Sequence, residues 1–267
     1  MSILKWVGGK RQLLTRLEEH VPPVVINFYE PFGGSLTVTL WIMEKYPYIE
    51  NIYVADSNPK LVNLYTQLKK NPKRFIDVVE LQLKLDENYY ILRNKFNTTY
   101  SKLEEAVLMW ILNKKCFNGL YRVNKSGRFN VPEGKNSVSW EQQIENLKKF
   151  AVKIRNVSIE CCDFRDFFQK YKPSRNDLVY VDPPYWDTFT SYTSTVFGEQ
   201  EQRDLHRICS DLQCKVVCSN SNTDFVKELY SNFIIHEVDA RRSINRDATK
   251  RTPQPVEVIM VSNNKDD

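Results

Sequence analysis

The residues best suited to chemistry are four in a row, Asp182-Pro183-Pro184-Tyr185, directly after the apolar run Leu178-Val179-Tyr180-Val181. Two consecutive prolines have no N–H and fix φ, so a strand must stop there. The stop leaves a carboxylate, rigid carbonyls and an aromatic ring at the strand's carboxyl end, the edge where open α/β sheets bind ligands. A planar amine suits these groups. The ring stacks on its face while the carboxylate and a proline carbonyl accept its two N–H bonds.

A second group is Glu30-Pro31-Phe32-Gly33-Gly34-Ser35. Small residues let a backbone approach a ligand, and a following helix presents free N–H groups. Asp56 ends the next strand, where an acid commonly accepts hydrogen bonds from ribose hydroxyls. The pattern is not the three-glycine dinucleotide fingerprint, and no G-K-[ST] phosphate loop occurs. Nicotinamide and nucleoside triphosphate cofactors are therefore disfavoured. A third group is Lys5-Trp6-Val7-Gly8-Gly9-Lys10, and a fourth is the strand-end acid and aromatic Asp163-Phe164. The fifth is Asn113 to Lys135, which interleaves basic residues with aromatics and amides. Such a segment offers phosphate neutralisation, base stacking and edge recognition together.

The elements that must carry these groups form an alternating pattern. A strand over 27–32 is followed by a Gly turn, a helix from Leu36 to Met43, a strand over 52–55 and a helix from Pro59 to Leu68. That is the opening of a doubly wound α/β sheet. Between about 70 and 112 the segments become long and charged with a 3.6 period, and Leu103, Val107, Leu108 and Ile111 fall on one helical face. Strand-like segments return at 157–161, 178–181, 215–219 and 256–261. The expected organisation is one catalytic domain (1–64 and 148–267) interrupted by an inserted unit at 65–147.

With 267 residues the chain has length for one or two domains of about 150. Lys and Arg number 38 against 33 Asp and Glu, a net +5 that permits nucleic-acid binding without requiring it. No uncharged apolar run approaches the ~18 residues of a membrane span, and the start does not resemble a signal peptide. The six cysteines form no C-x-x-C pair and the three histidines are scattered, so no metal site is expected. Reduced thiols and an intracellular location, cytoplasmic or otherwise, follow from the same reading.

Taken together, these motifs resemble the Dam-like DNA adenine-N6 methyltransferases, whose hallmark among amino-methyltransferases is Asp-Pro-Pro-Tyr. The likeness covers nearly the whole chain in order, from K-W-x-G-G-K to the Arg241-Arg242-Ser243-Ile244 stretch. It implies a Rossmann-like S-adenosylmethionine-dependent methyltransferase sheet with an inserted, mainly helical DNA-recognition domain carrying a β-hairpin. By resemblance, Asp182, Pro183, Pro184 and Tyr185 are catalytic. Trp6, Lys10, Glu30, Phe32, Gly33, Asp56, Asp163, Phe164 and Asp182 would hold S-adenosylmethionine, released as S-adenosylhomocysteine. Lys5, Phe117, Asn118, Leu120, Arg122, Asn130, Pro132, Arg241 and Arg242 would meet double-stranded DNA. Within that set, Phe117 and Asn118 would intrude beside the target adenine, and Leu120 and Pro132 would touch thymine methyls. Arg122 and Lys5 would read guanines, which suits a GATC-like palindrome. The resemblance also fits a modification enzyme of a restriction system, from a cell, phage or virus, acting as a monomer or weak dimer. Two alternatives stay open: a methyltransferase for another planar amine, such as RNA adenine or cytosine-N4, and a catalytically silent DNA-binding relative.

Overall fold

The computed structural model describes residues 2–6, 8, 10, 13–135, 137–186, 197–238 and 257–263. Its centre is a seven-stranded sheet in the order β3-β2-β1-β4-β5-β7-β6. The strands are β1 (Asn27–Glu30), β2 (Asn51–Asp56), β3 (Val157–Cys161), β4 (Leu178–Val181), β5 (Lys215–Ser221), β6 (Phe233–Val238) and β7 (Glu257–Ser262). β1 pairs in parallel with β2 and β4, as β2 does with β3 and β4 with β5. β7 runs antiparallel between β5 and β6. All four residues of β4 are buried, as the unbroken apolar run requires of a parallel strand covered on both faces.

The order of the strands decides where a ligand can sit. From β1 the chain winds outward through β2 and β3, and from β4 it winds the other way to β5. β1 and β4 therefore flank the point where the winding reverses, and a crevice forms outside their carboxyl ends. Glu30 ends β1 and Asp182 follows β4. The two main acidic motifs are thus brought side by side by topology alone.

Helices cover the sheet: α1 (Leu14–Glu18), α2 (Thr37–Lys45), α3 (Pro59–Lys70), α4 (Pro72–Lys84), α5 (Tyr89–Thr98), α6 (Lys102–Lys115), α7 (Trp140–Lys153), α8 (Phe164–Lys170), α9 (Glu199–Asp211) and α10 (Asp224–Leu229). α3 and α4 each start with an Asn-Pro pair. Asn58 accepts from the N–H groups of Lys60 and Leu61, and Asn71 from Arg74, while proline occupies a position whose N–H is unpaired in any case.

Two sequence expectations need correction. α6 is buried all round from Glu105 to Asn113 rather than along a single stripe, because α3, α4 and α5 pack around it. Its buried acid, Glu105, is neutralised by Lys60 and accepts from Asn63 Nδ2 at 2.8 Å. The strand Phe233–Val238 was not anticipated. It is an edge strand with half of its positions exposed, and His236-Glu237 interrupts its apolar pattern. α3 and α7 run through positions 65 and 147, and one hydrophobic cluster joins Phe28 and Val54 of the sheet to Phe75, Trp110 and Leu147. The segment 116–133 forms an irregular hairpin, with antiparallel bridges at Cys116–Glu133 and Val123–Phe129.

Candidate active site

Asp182 lies where β4 stops. Its Oδ2 is 2.9 Å from the Lys10 ammonium, and its Oδ1 accepts from Ser219 Oγ at 2.7 Å. Lys10 is almost fully buried, donates to the Gly8 carbonyl at 2.7 Å and stands 4.7 Å from the centre of the Tyr185 ring. One cation therefore covers both the carboxylate and the aromatic face that a planar amine would use. A buried lysine in that place is held by its carboxylate and by the ring's negative face. Tyr185 donates to Glu257 Oε2 at 3.1 Å, and burial beside Asp182 holds its phenol protonated well above the ordinary range.

Glu30 faces the same cavity, which Trp6, Gly8, Lys10, Phe32, Gly33, Gly34, Ser35 and Asp182 also line. Its carboxylate is 3% exposed and accepts from both the N–H and the hydroxyl of Thr39. Burial pushes its pKa up to about 8, the Thr39 hydroxyl opposes this, and the nearby Asp182 charge adds to it. Gly34 stands at φ +47, and a Cβ there would come within 3.2 Å of the Trp6 ring. The turn thus needs glycine both for its backbone and for the indole's approach. Gly34 is also tied at both ends, its N–H to Asp56 Oδ2 at 3.0 Å and its carbonyl to the Tyr65 hydroxyl at 2.7 Å.

The chemistry of the lining suits a ligand that joins a cation to a purine. A cation beside the buried acid would offset the cost of ionising it, an indole is suited to a purine ring, and a glycine turn admits close backbone approach. Asp56, Asp163 and Phe164 sit outside this cavity lining. Asp56 spends its oxygens on Gly34 N and Asn58 N, the latter at 2.8 Å, and burial raises its pKa. Asp163 caps α8 and faces Arg165, while Phe164 is buried in a ring cluster with Phe32 and Phe197.

The hairpin candidates form a second group. Lys5, Phe117, Asn118, Arg122 and Pro132 are exposed, and Leu120 and Asn130 are half-buried. Asn118 is held at φ 54 in the short Phe117–Gly119 turn. Arg122 is steadied by Asn130, its Nε donating to Asn130 Oδ1 at 2.8 Å. The hairpin reaches the cavity through Tyr121, stacked on Trp6 with ring centres 5.6 Å apart. Arg241 and Arg242 lie outside the described residues, as does 187–196.

Several residues of these two groups were not anticipated from sequence. Asn113 accepts from Lys5 N at 3.0 Å and donates to Lys5 O and Gly119 O at 2.8 and 2.9 Å, lacing the amino-terminal segment to the turn. Gly119 at φ +66 allows this approach, since a Cβ there would fall 2.3 Å from Lys5 Cβ. Asn113→Ala is expected to strand buried backbone groups at a cost of about 1–3 kcal/mol. Duplex affinity should fall with it, checked by denaturant melting beside a DNA titration. Ser219, Asn220, Ser221 and Gln202 were missed as well. The signal was a polar Ser-Asn-Ser finish on an otherwise apolar strand, all three residues buried.

Comparison with known proteins shows the family of the chain. A family model described as D12 class N6 adenine-specific DNA methyltransferase matches residues 6–244. The type II methyltransferase M.MjaIII of Methanocaldococcus jannaschii is 36% identical over 97% of this chain and 98% of its own. The retron Ec67 DNA adenine methylase of Escherichia coli is 34% identical over 98% and 91%, and the DNA adenine methylase of Serratia marcescens 33% over 94% of each. The chain belongs to the D12 class of N6 adenine-specific DNA methyltransferases.

Proposed function

We propose that this chain transfers a methyl group from S-adenosylmethionine to N6 of an adenine swung out of double-stranded DNA, within a GATC-like palindrome. The observation that carries the reading is the meeting of Asp182, Tyr185, Glu30 and Trp6 at one crevice, between a carboxylate-and-ring amine site and a glycine-turn cavity. The segment 65–147 serves as the target-recognition unit.

Extruding the base costs a few kcal/mol, and stacking on Tyr185 and Phe117 offsets about 1–3 kcal/mol per aromatic face. The N6 lone pair is delocalised into the purine and is a poor nucleophile. Asp182 and the Pro183 carbonyl, accepting its two N–H bonds, hold the nitrogen nearer tetrahedral and stabilise the positive charge that develops. The cofactor, when bound, would supply an electrophilic methyl on a sulfonium whose leaving group is the neutral thioether, and the methylated nitrogen would return to neutrality by releasing one N–H proton to water. Trp6, Glu30 and the Gly33-Gly34 turn orient the cofactor, so positioning is the protein's main contribution. Lys10 must leave Asp182 and the Tyr185 ring for the base to enter.

Single-molecule sequencing of a plasmid treated with the purified protein and S-adenosylmethionine should reveal N6-methyladenine at one short palindrome. Methylation confined to cytosine or to RNA, or none at all, would overturn the reading. Arg122→Ala is expected to relax discrimination at one guanine by about 1–3 kcal/mol, read from the same sequencing as methylation at sites altered in that base pair. Unchanged preference would remove Arg122 from recognition.

A further inference from the structure

Consecutive prolines leave the tetrapeptide short of N–H groups, so other parts of the chain must hold it in place. Behind it lies a closed set of buried amides. Gln202 on α9 donates through Nε2 to the Pro184 carbonyl at 2.9 Å and accepts through Oε1 from Asn220 Nδ2 at 3.0 Å. Asn220 on β5 accepts through Oδ1 from the N–H of Trp186 at 3.1 Å and of Ser221 at 2.8 Å. Ser221 Oγ donates to the Trp186 carbonyl at 2.8 Å. Gln202 and Asn220 are both 0% exposed and Ser221 3%.

This chain of bonds has one sense. The Pro184 carbonyl can only accept, which forces the Gln202 NH2 toward it and the Gln202 oxygen toward Asn220. The Asn220 NH2 is then committed to Gln202, and its oxygen to the Trp186 N–H. The peptide groups on both sides of Tyr185 are therefore gripped by the same pair, one from a helix and one from a strand. A role in bulk stability alone would be served more simply by apolar side chains, since burying two amides costs free energy unless every donor and acceptor is matched. The matching here is spent on Pro184 and Trp186, the two neighbours of the ring.

We propose that Gln202 and Asn220 are positioning residues for methyl transfer, setting the pitch of Pro183-Pro184-Tyr185 so that ring and carbonyl acceptors face the amine together. The proposal rests on the tetrapeptide being the amine site, as argued above. The wild-type protein tests that reading in the same assay, and only the variants test the amide pair.

Gln202→Met keeps the length of the side chain and removes both bonds. Gln202→Glu keeps the shape but, when ionised, presents an acceptor to the Pro184 carbonyl. With saturating cofactor and a duplex bearing the target site, each variant should slow single-turnover methylation about 10- to 100-fold. KM for DNA and calorimetric affinity for S-adenosylmethionine should stay within about two-fold of wild type, because neither residue reaches those surfaces. Gln202→Met combined with Asn220→Leu should be no more than about two-fold slower than the worse single change, since the two act as one unit. Equal losses in kcat and cofactor affinity would overturn the proposal, as would a wild-type single-turnover rate in either Gln202 variant or multiplicative losses in the double variant. Should Gln202→Met fail to fold, Gln202→Glu and Asn220→Leu carry the same kcat-against-KM comparison.

Discussion

Replacing Asp182 with Ala is expected to lower single-turnover methyl transfer by at least about 10²–10³-fold, the cost of losing one hydrogen-bonding group aimed at developing charge. The loss should be larger if Asp182 also fixes the amine's approach. Cofactor binding should be largely retained, because Glu30, Trp6 and the Gly33-Gly34 turn line the cavity independently of it. Asp182→Ala also strips the partner from Lys10, a lysine only 6% exposed, so part of any effect could come from an unpaired buried cation. Asp182→Asn separates the two causes. It preserves the acceptor for Ser219 and the volume, but it turns an N–H toward either Lys10 or the substrate amine. Both variants should be followed by methyl incorporation into duplex DNA and by calorimetry with S-adenosylmethionine. Near-wild-type turnover in either would disprove the role assigned to Asp182.

The second large effect belongs to Glu30. Its pKa in the folded protein is raised to about 8 by burial, against an ordinary 4.5. Between those values the folded state holds a proton that the unfolded state has released, so stability falls as pH rises from about 4.5 to 8. Each pKa unit is worth about 1.36 kcal/mol, which after relaxation leaves about 2–4 kcal/mol of destabilisation at pH 8. Glu30→Gln can still accept from the Thr39 N–H and hydroxyl, and it carries no charge to desolvate. The variant should melt about 5–15 °C above wild type at pH 8, with the gap closing toward pH 5. A melting difference independent of pH would show that Glu30 is not protonated in the folded protein.

The same residue predicts a price in function. A cation entering the cavity would favour the ionised carboxylate, so wild-type cofactor binding should release a proton and tighten as pH rises toward 8. Calorimetry in two buffers of different ionisation enthalpy measures that proton directly. Glu30→Gln should abolish the release and bind the cofactor more weakly. Stability and binding then move in opposite directions at one position, the pattern expected where a site is built at the expense of the fold.

What could be read without coordinates was whatever lies close together along the chain. The arrest of a strand by Pro183-Pro184, the Gly33-Gly34 turn between strand and helix, and the helix that begins at Pro59 depend on φ, ψ and hydrogen bonding within a few residues. Those signals placed the carboxyl ends of β1 and β4 and, through them, the acids Glu30 and Asp182. Residue type suggested a planar amine for a carboxylate, a proline carbonyl and a ring in sequence, and methyl transfer came from the resemblance of the motifs, taken in order, to a known family.

What depended on the third dimension was every pairing between distant parts of the chain. Lys10 on Asp182, Asn113 between Lys5 and Gly119, and Gln202 with Asn220 behind the prolines join residues that no local periodicity relates. α6 likewise looks amphipathic in isolation, and only three neighbouring helices reveal that it is enclosed. The physical reason is the same in each case. Burial and the matching of polar groups are properties of the packed interior, set by which surfaces the sheet order brings together, whereas backbone dihedrals and caps are settled within a turn or two of the chain.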